Sequence, residues 1–151
     1  MQSMTGFGRS EHATSNFTAR VEITSVNRKQ ADIVFNLPRE LGELEGDLRK
    51  TVLKSISRGR VNVAIHLERS ATARIPGLLS FEDSGLDPDE ALEAISPALD
   101  GALERLLEMR QSEGQDLKSD LLERLDIIEE HAKVIAEANP QVVIRQRENL
   151  H

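Results

Sequence analysis

Arg60-Val61-Asn62-Val63-Ala64-Ile65-His66-Leu67-Glu68 is the run on which the reading of this chain turns. Valine, isoleucine and leucine hold its odd positions, and asparagine, alanine, histidine and glutamate hold most of the even ones. A period of two is that of a strand with one face in a core and the other in water. Working back from it, Phe17, Ala19, Val21 and Ile23 alternate in the same way with Thr18, Arg20, Glu22 and Thr24. Ile33-Val34-Phe35 predicts a shorter strand that stops ahead of Pro38, since the residue before a proline is held extended. Ser3–Ser10 is expected to pair with the Phe17 strand as a hairpin around Ala13–Asn16. Between the third and fourth strands, Leu41, Leu44, Leu48, Val52 and Ile56 recur at spacings of three and four. They predict an amphipathic helix from Pro38 to Ser57, with Pro38 in the first turn, where a missing N–H costs nothing. The expected module over 1–69 is therefore β-β-β-α-β, a small antiparallel sheet with one packed helix.

Working forward, Pro76, Gly77, Ser80, Ser84 and Gly85 mark a linker over 70–86. From 87 to 151 only helical periodicity remains. Asp87 is the expected N-cap, Pro88 the first helical residue and Glu90 the capping-box partner. Leu99, Leu103, Leu106 and Met109 carry an apolar stripe that Pro97 is expected to kink or split. After Gly114, the positions Leu117, Leu121, Leu125, Ile128, Ala132 and Ile135 approach a heptad seam. Asn139-Pro140 is expected to end that helix before a third one begins. The class is α+β, the sheet module being followed by an α-helical layer or hairpin.

Composition narrows the chemistry. The chain has 151 residues, a formal charge of −7 and no cysteine, which excludes disulfides, thiolate metal sites and cysteine nucleophiles. The charge is uneven: residues 1–69 hold 11 basic and 8 acidic side chains, whereas 70–151 hold 8 and 18. No apolar run approaches the length needed to span a bilayer and no signal-peptide core is present, so a cytoplasmic protein without a membrane partner is expected. With four Phe and neither Trp nor Tyr, a base-stacking platform is not indicated.

The four histidines form no metal-ligand spacing. His12 and His66 are one candidate acid–base pair, against the simpler reading of two solvent-facing strand histidines. Gly6-Phe7-Gly8-Arg9 precedes no helix, so it reads as a strand admitting a close neighbour rather than as a phosphate cradle. Asp126, Glu129 and Glu130 are a candidate divalent-ion group or a solvated helix face. The basic junctions carry more weight. Asn27-Arg28-Lys29 follows the second strand, Ser57-Arg58-Gly59-Arg60 precedes the last, and Arg9 is a third contributor. Gathered at one end of the sheet, these cations suit phosphate oxygens; the alternative is that Lys54 and Arg58 merely complement a helix C-terminus.

At these residues the sequence resembles a known family. Ser3-Met4-Thr5-Gly6-Phe7-Gly8-Arg9, Val21 to Lys29, Asn36-Leu37-Pro38 and Ser57-Arg58-Gly59-Arg60-Val61 resemble the YicC/YloC family of bacterial proteins. So do Arg74-Ile75-Pro76-Gly77, Leu99 to Leu103, Arg110 to Lys118 and Arg145 to Glu148. The resemblance implies an endoribonuclease dependent on a divalent cation, Mn²⁺ or Mg²⁺. It also implies a ring-like homo-oligomer, a hexamer, with RNA and further copies of itself as partners. It carries over Arg9, Glu22, Asn27, Arg58 and Arg60 in the N-terminal module and Glu113, Gly114 and Arg147 in the helical part. RNA phosphate is expected at Arg9, Asn27, Arg28, Lys29, Arg58 and Arg60, with Glu22 and Asn27 organising the turn. A non-catalytic RNA-binding or assembly adaptor is the alternative function. Three departures accompany the match. Lys29-Gln30-Ala31 stands where members carry an aromatic, a helical insertion before Ile75 is absent, and the chain stops at His151. The resemblance therefore implies a fragment or a gapped chain, with the metal-binding motifs in a C-terminal part.

Overall fold

The structure, a computed structural model, describes residues 1–30, 32–69 and 86–148, with 138–148 described as backbone alone. Strands β1 (Gly6–Ala13), β2 (Phe17–Val26), β3 (Asp32–Asn36) and β4 (Arg60–Arg69) form one sheet in the order β1-β2-β4-β3. The hairpin lies where the sequence places it, with the Thr14 N–H donating to the Phe17 carbonyl at 2.7 Å across the turn. β1 starts at Gly6 rather than Ser3.

The sheet is mixed, not antiparallel as the sequence suggests. β1 and β4 both run antiparallel to β2, but β3 pairs with β4 in parallel, Ile33 opposite Val61 and Phe35 opposite Val63. The cause is the connection. A 3₁₀ segment, Arg39–Leu44, and helix α1, Glu45–Ser55, carry the chain back to the end of the sheet from which β3 set out, so β4 leaves in the same direction. Leu41, Leu44, Leu48, Val52 and Ile56 are all buried, as their spacing requires.

One face of the sheet is covered and the other is open. Phe17, Ala19, Val21, Ile23, Ile33, Val61, Val63 and Ile65 lie beneath the helices in a single core, whereas Thr24, Val34, Asn62 and His66 on the other face are exposed.

The helical region departs most from expectation. It is one helix, α2, from Pro88 to Glu148, 61 residues long and about 90 Å end to end. It passes through Pro97, Gly114 and Asn139-Pro140 without a break. Pro97 removes one backbone hydrogen bond, but Ala94, Ile95, Ala98 and Leu99 around it are buried, and their packing holds the helix together there. Gly114 is a packing position rather than a terminator, since a Cβ there would collide with the Met1–Gln2 backbone. Asp87 does cap the helix, its carboxylate accepting the Asp89 N–H at 3.0 Å. Glu90 instead accepts from the Asn16 side chain at 3.2 Å and ties α2 to the β1–β2 turn.

Among the described residues, only those of the first half of α2 meet the sheet. Ala91, Ala94, Ile95, Ala98, Leu99, Ala102, Leu103 and Leu106 are buried at spacings of three and four, and they belong to the same core as the strands. From Gln115 to Glu137 every residue is exposed. The expected linker lies outside the described residues, apart from Leu86, which packs against the core.

Candidate nucleic-acid interface

The approach of α2 to β1 explains the glycines of Gly6-Phe7-Gly8. A Cβ on Gly8 would overlap the Ala102 carbonyl and lie 2.8 Å from the Leu106 nitrogen. One on Gly6 would lie 2.9 Å from side-chain atoms of Arg110 and Leu106, and one on Gly101 would lie 2.7 Å from the Ser10 hydroxyl oxygen. Glycine thus serves both sides of this contact, and the segment is a packing surface, not a phosphate cradle. The same helix covers the free edge of β1: the Phe7 N–H donates to Met109 Sδ at 3.2 Å, and Arg105 donates to the Arg9 carbonyl. Glu113 and Gly114, two positions singled out by the resemblance, seat the N-terminal segment. The Thr5 hydroxyl donates to the Glu113 carboxylate at 3.0 Å, and Gly114 leaves room for Met1.

The basic residues divide into three places. At the end of the sheet, Val26 and Asp32 both stand opposite Arg60 in register. This brings the Asn27-Arg28-Lys29 turn beside the start of β4. Gly59 allows the junction: it alone among the described residues has a backbone φ in the left-handed region, +106°, and a Cβ there would lie 3.1 Å from the Val26 carbonyl. Its own carbonyl accepts the Asp32 N–H at 3.1 Å. Asp32 faces two guanidinium groups, Arg28 at 2.6 Å and Arg60 at 3.9 Å. One carboxylate between two arginines, with the exposed Lys29 beside them, leaves this corner positive.

Arg9 stands elsewhere. It lies opposite Glu22 on the open face, four residue steps from the Val26 end of β2, or about 13 Å, and pairs with Glu22 at 3.4 Å. Glu22 therefore answers Arg9 rather than the Asn27 turn. Arg58 is in the third place. It lines a small cleft of about 220 Å³ on the helix side of the sheet, with Ser3, Ser57 and Arg110. Arg58 and Arg60, neighbours in sequence, thus address different sides of the fold. The Arg147 side chain lies outside the described residues.

The histidine pair is not assembled. β2 separates β1 from β4, and His12 shares a face with Ala19 whereas His66 stands opposite Arg20 on the other face. Among the described residues no three His, Asp or Glu side chains converge to hold a metal ion. Glu129 pairs with Lys133 at 2.8 Å along the helix, the arrangement of a solvated face. Arg110, which the sequence reading places in a stretch of family resemblance but gives no role, is 7% exposed. The signal available was a lone arginine at the same helical spacing as Leu99, Leu103 and Leu106.

The chain is similar to known proteins along nearly all of its length. The family described as "Endoribonuclease YicC-like, N-terminal region" matches residues 1–75. Two relatives, each called "Probable endoribonuclease YicC", align along nearly all of the chain. The one from Clostridioides difficile (strain 630) is 28% identical and covers 99% of this chain. The one from Haemophilus influenzae (strain ATCC 51907 / DSM 11121 / KW20 / Rd) is 25% identical and covers 98%. The chain spans 64% and 63% of the lengths of those relatives, just under two thirds. The alignments run over 186 and 184 positions, more than the 151 residues here, so both relatives carry internal residues that this chain lacks. With a matching N-terminal region and relatives aligned across the helical half as well, the chain belongs to the YicC family.

Proposed function

We propose that this chain is part of a cytoplasmic endoribonuclease that cleaves RNA phosphodiester bonds with a divalent cation, Mn²⁺ or Mg²⁺, as a ring-like homo-oligomer. The observation that supports the activity most is its alignment, over 98–99% of its length, with two proteins named as probable endoribonucleases. The positive corner at Arg28, Lys29 and Arg60 supports RNA as the polyanion. The ion pairs there do not stand in the way. Arg28 and Asp32 are each about half exposed, and such pairs are worth about 0–1 kcal/mol, so a phosphate oxygen displaces the carboxylate at small cost. Guanidinium forks then meet the phosphate bidentately. The described residues do not by themselves provide a cluster fitted to the cation, so no chemical step is assigned to their side chains.

Self-assembly is supported by the second half of α2. Leu117, Leu121, Leu125, Ile128 and Ile135 are 45–69% exposed along one seam of a helix whose outer half packs against no other described element. No helix among the described residues is long and apolar enough to cross a membrane. The near-heptad spacing of the seam suits another helix.

The direct test is incubation of the protein with an end-labelled hairpin RNA, with Mn²⁺ or Mg²⁺ and with EDTA. Internal cleavage that EDTA abolishes is the expected outcome, and RNA that stays intact under every condition sinks the reading. Replacing Arg28, Lys29 and Arg60 by alanine should weaken RNA binding for all sequences alike. It should also flatten the dependence of log affinity on log salt by about one for each phosphate that is no longer neutralised. The seam favours a second reading, a non-catalytic RNA-binding or assembly adaptor. Salt-sensitive RNA binding with no cleavage identifies that case.

A further inference from the structure

The cleft beside Arg58 has features that the packing of the fold does not account for. Arg110 sits on the sheet-facing side of α2 and is 7% exposed, one of two buried polar or charged side chains among the described residues. Part of its role is structural: its Nε donates to the Ser3 carbonyl at 2.7 Å, and its own carbonyl accepts the Ser3 N–H at 2.9 Å. That accounts for one of the five guanidinium donors. No carboxylate of the described residues lies within ion-pair distance of Arg110, although a charge buried to this degree is ordinarily paired. Nor is any Arg110 nitrogen both buried and unpartnered, so the remaining N–H groups open onto accessible space.

Arg110 lines a cleft of about 220 Å³ together with Arg58, Ser3, Ser55 and Ser57. Two arginines and three serines are among its lining residues, and no aspartate or glutamate is. Guanidinium groups give an oxyanion charge-assisted hydrogen bonds and serine hydroxyls add weaker neutral ones, although the Ser3 hydroxyl already meets the Thr5 hydroxyl at 2.9 Å. The volume falls below the roughly 300–1,000 Å³ of clefts that enclose a whole small ligand, and suits one tetrahedral oxyanion with its nearest waters. A larger groove adjoins it at Gln2, Ser55 and Leu107, but Asp100, Glu104 and Glu108 line that groove, so the two clefts differ in charge character.

We infer that the Arg58–Arg110 cleft is a phosphate-binding site, separate from the corner at Arg28 and Arg60. Arg110 is the preformed half of this site. It is already desolvated and oriented by its bond to Ser3, so it loses little side-chain freedom on binding. Arg58, exposed at the end of the α1–β4 junction, closes over the anion. The inference does not require the chain to cleave RNA. It concerns where a phosphate group rests, whether carried on a nucleic-acid backbone or free in solution.

The test is titration of the full chain with inorganic phosphate, followed through the side-chain Nε–Hε resonances of its arginines, with chloride at matched ionic strength as control. Saturable movement of the Arg110 resonance with phosphate but not chloride is expected. Arg58→Ala should weaken that binding at least about tenfold, as removal of a charge-assisted hydrogen bond does, while Arg28→Ala leaves it unchanged. Because Arg58 is exposed and outside the core, this variant should stay folded, and the unmoved spectrum of the remaining chain checks that directly. A short oligoribonucleotide that competes with phosphate for the same resonance assigns the site to a nucleic-acid backbone; phosphate binding without competition assigns it to the free ion. An Arg110 resonance that ignores phosphate, or an Arg58→Ala variant that binds as the parent does, overturns the inference. Absence of RNA cleavage leaves it standing.

Discussion

Gly8 shows how far one side chain governs this fold. The backbone of α2 passes so close to β1 that a methyl group at Gly8 would overlap the Ala102 carbonyl, and neither backbone can yield without displacing a buried neighbour. Gly8→Ala should therefore cost about 1–3 kcal/mol, or more if the helix is pushed off the sheet, as read from the midpoint of urea denaturation. A variant as stable as the parent would show that α2 sits further out. Asp47 and Lys50 present the opposite case. The ammonium group, 2.8 Å from the carboxylate on the first turns of α1, holds the Asp47 carboxyl below its ordinary range by hydrogen bond and charge, and the carboxylate raises Lys50 in return. The depressed Asp47 gives a contribution present above its unfolded value and lost as the pH falls through the folded one. The raised Lys50 gives one lost only as the pH climbs through its folded value. Both groups are fully exposed, so Asp47→Asn should leave the melting temperature at neutral pH unchanged within error.

At the scale of elements, α2 contains two kinds of leucine within one continuous helix. Leu99 is 1% exposed against the sheet, and Leu121, some twenty residues on, is 45% exposed on the projecting half of the same helix. Leu99→Ala should destabilise the chain by about 2–5 kcal/mol, the range for emptying a buried leucine site. Leu121→Ala, measured at a concentration where the chain is monomeric, should change it by no more than about 0.5 kcal/mol. Equal effects would mean that the outer half of α2 folds back onto the module. The alternation in β2 and β4 and the three-and-four spacing before α1 were legible because each reports which side of an element meets a core. The direction of β3 was not. An isolated Ile33-Val34-Phe35 run reads the same in a parallel or an antiparallel pair, and only the return path through α1 decides between them.

Across the whole molecule, the sheet and the first half of α2 share one core, and the outer half of α2 projects from it. If that seam joins copies of the chain, Leu121→Glu with Leu125→Glu should lower the assembled mass measured by light scattering while leaving the urea midpoint of the module in place. An unchanged mass would exclude the seam from assembly. The positive corner and the Arg58–Arg110 cleft lie on either side of the Gly59 junction, so two neighbouring arginines report on separate events: Arg60 on the open-face corner, Arg58 on the cleft.

The sequence alone determined what depends on local period and local chemistry. Strands with one apolar face, the α1 stripe and the cap at Asp87 all follow from interactions within a few residues. Tertiary packing decided the rest. It held α2 continuous through Pro97 because buried neighbours outweigh one missing hydrogen bond, and it made Gly114 a point of close approach within the helix, as the run Gly6-Phe7-Gly8 already implies for Gly8. It also set Arg110 beside Arg58, residues 52 positions apart whose proximity follows from how the helix crosses the sheet and from nothing that either residue's own neighbours encode.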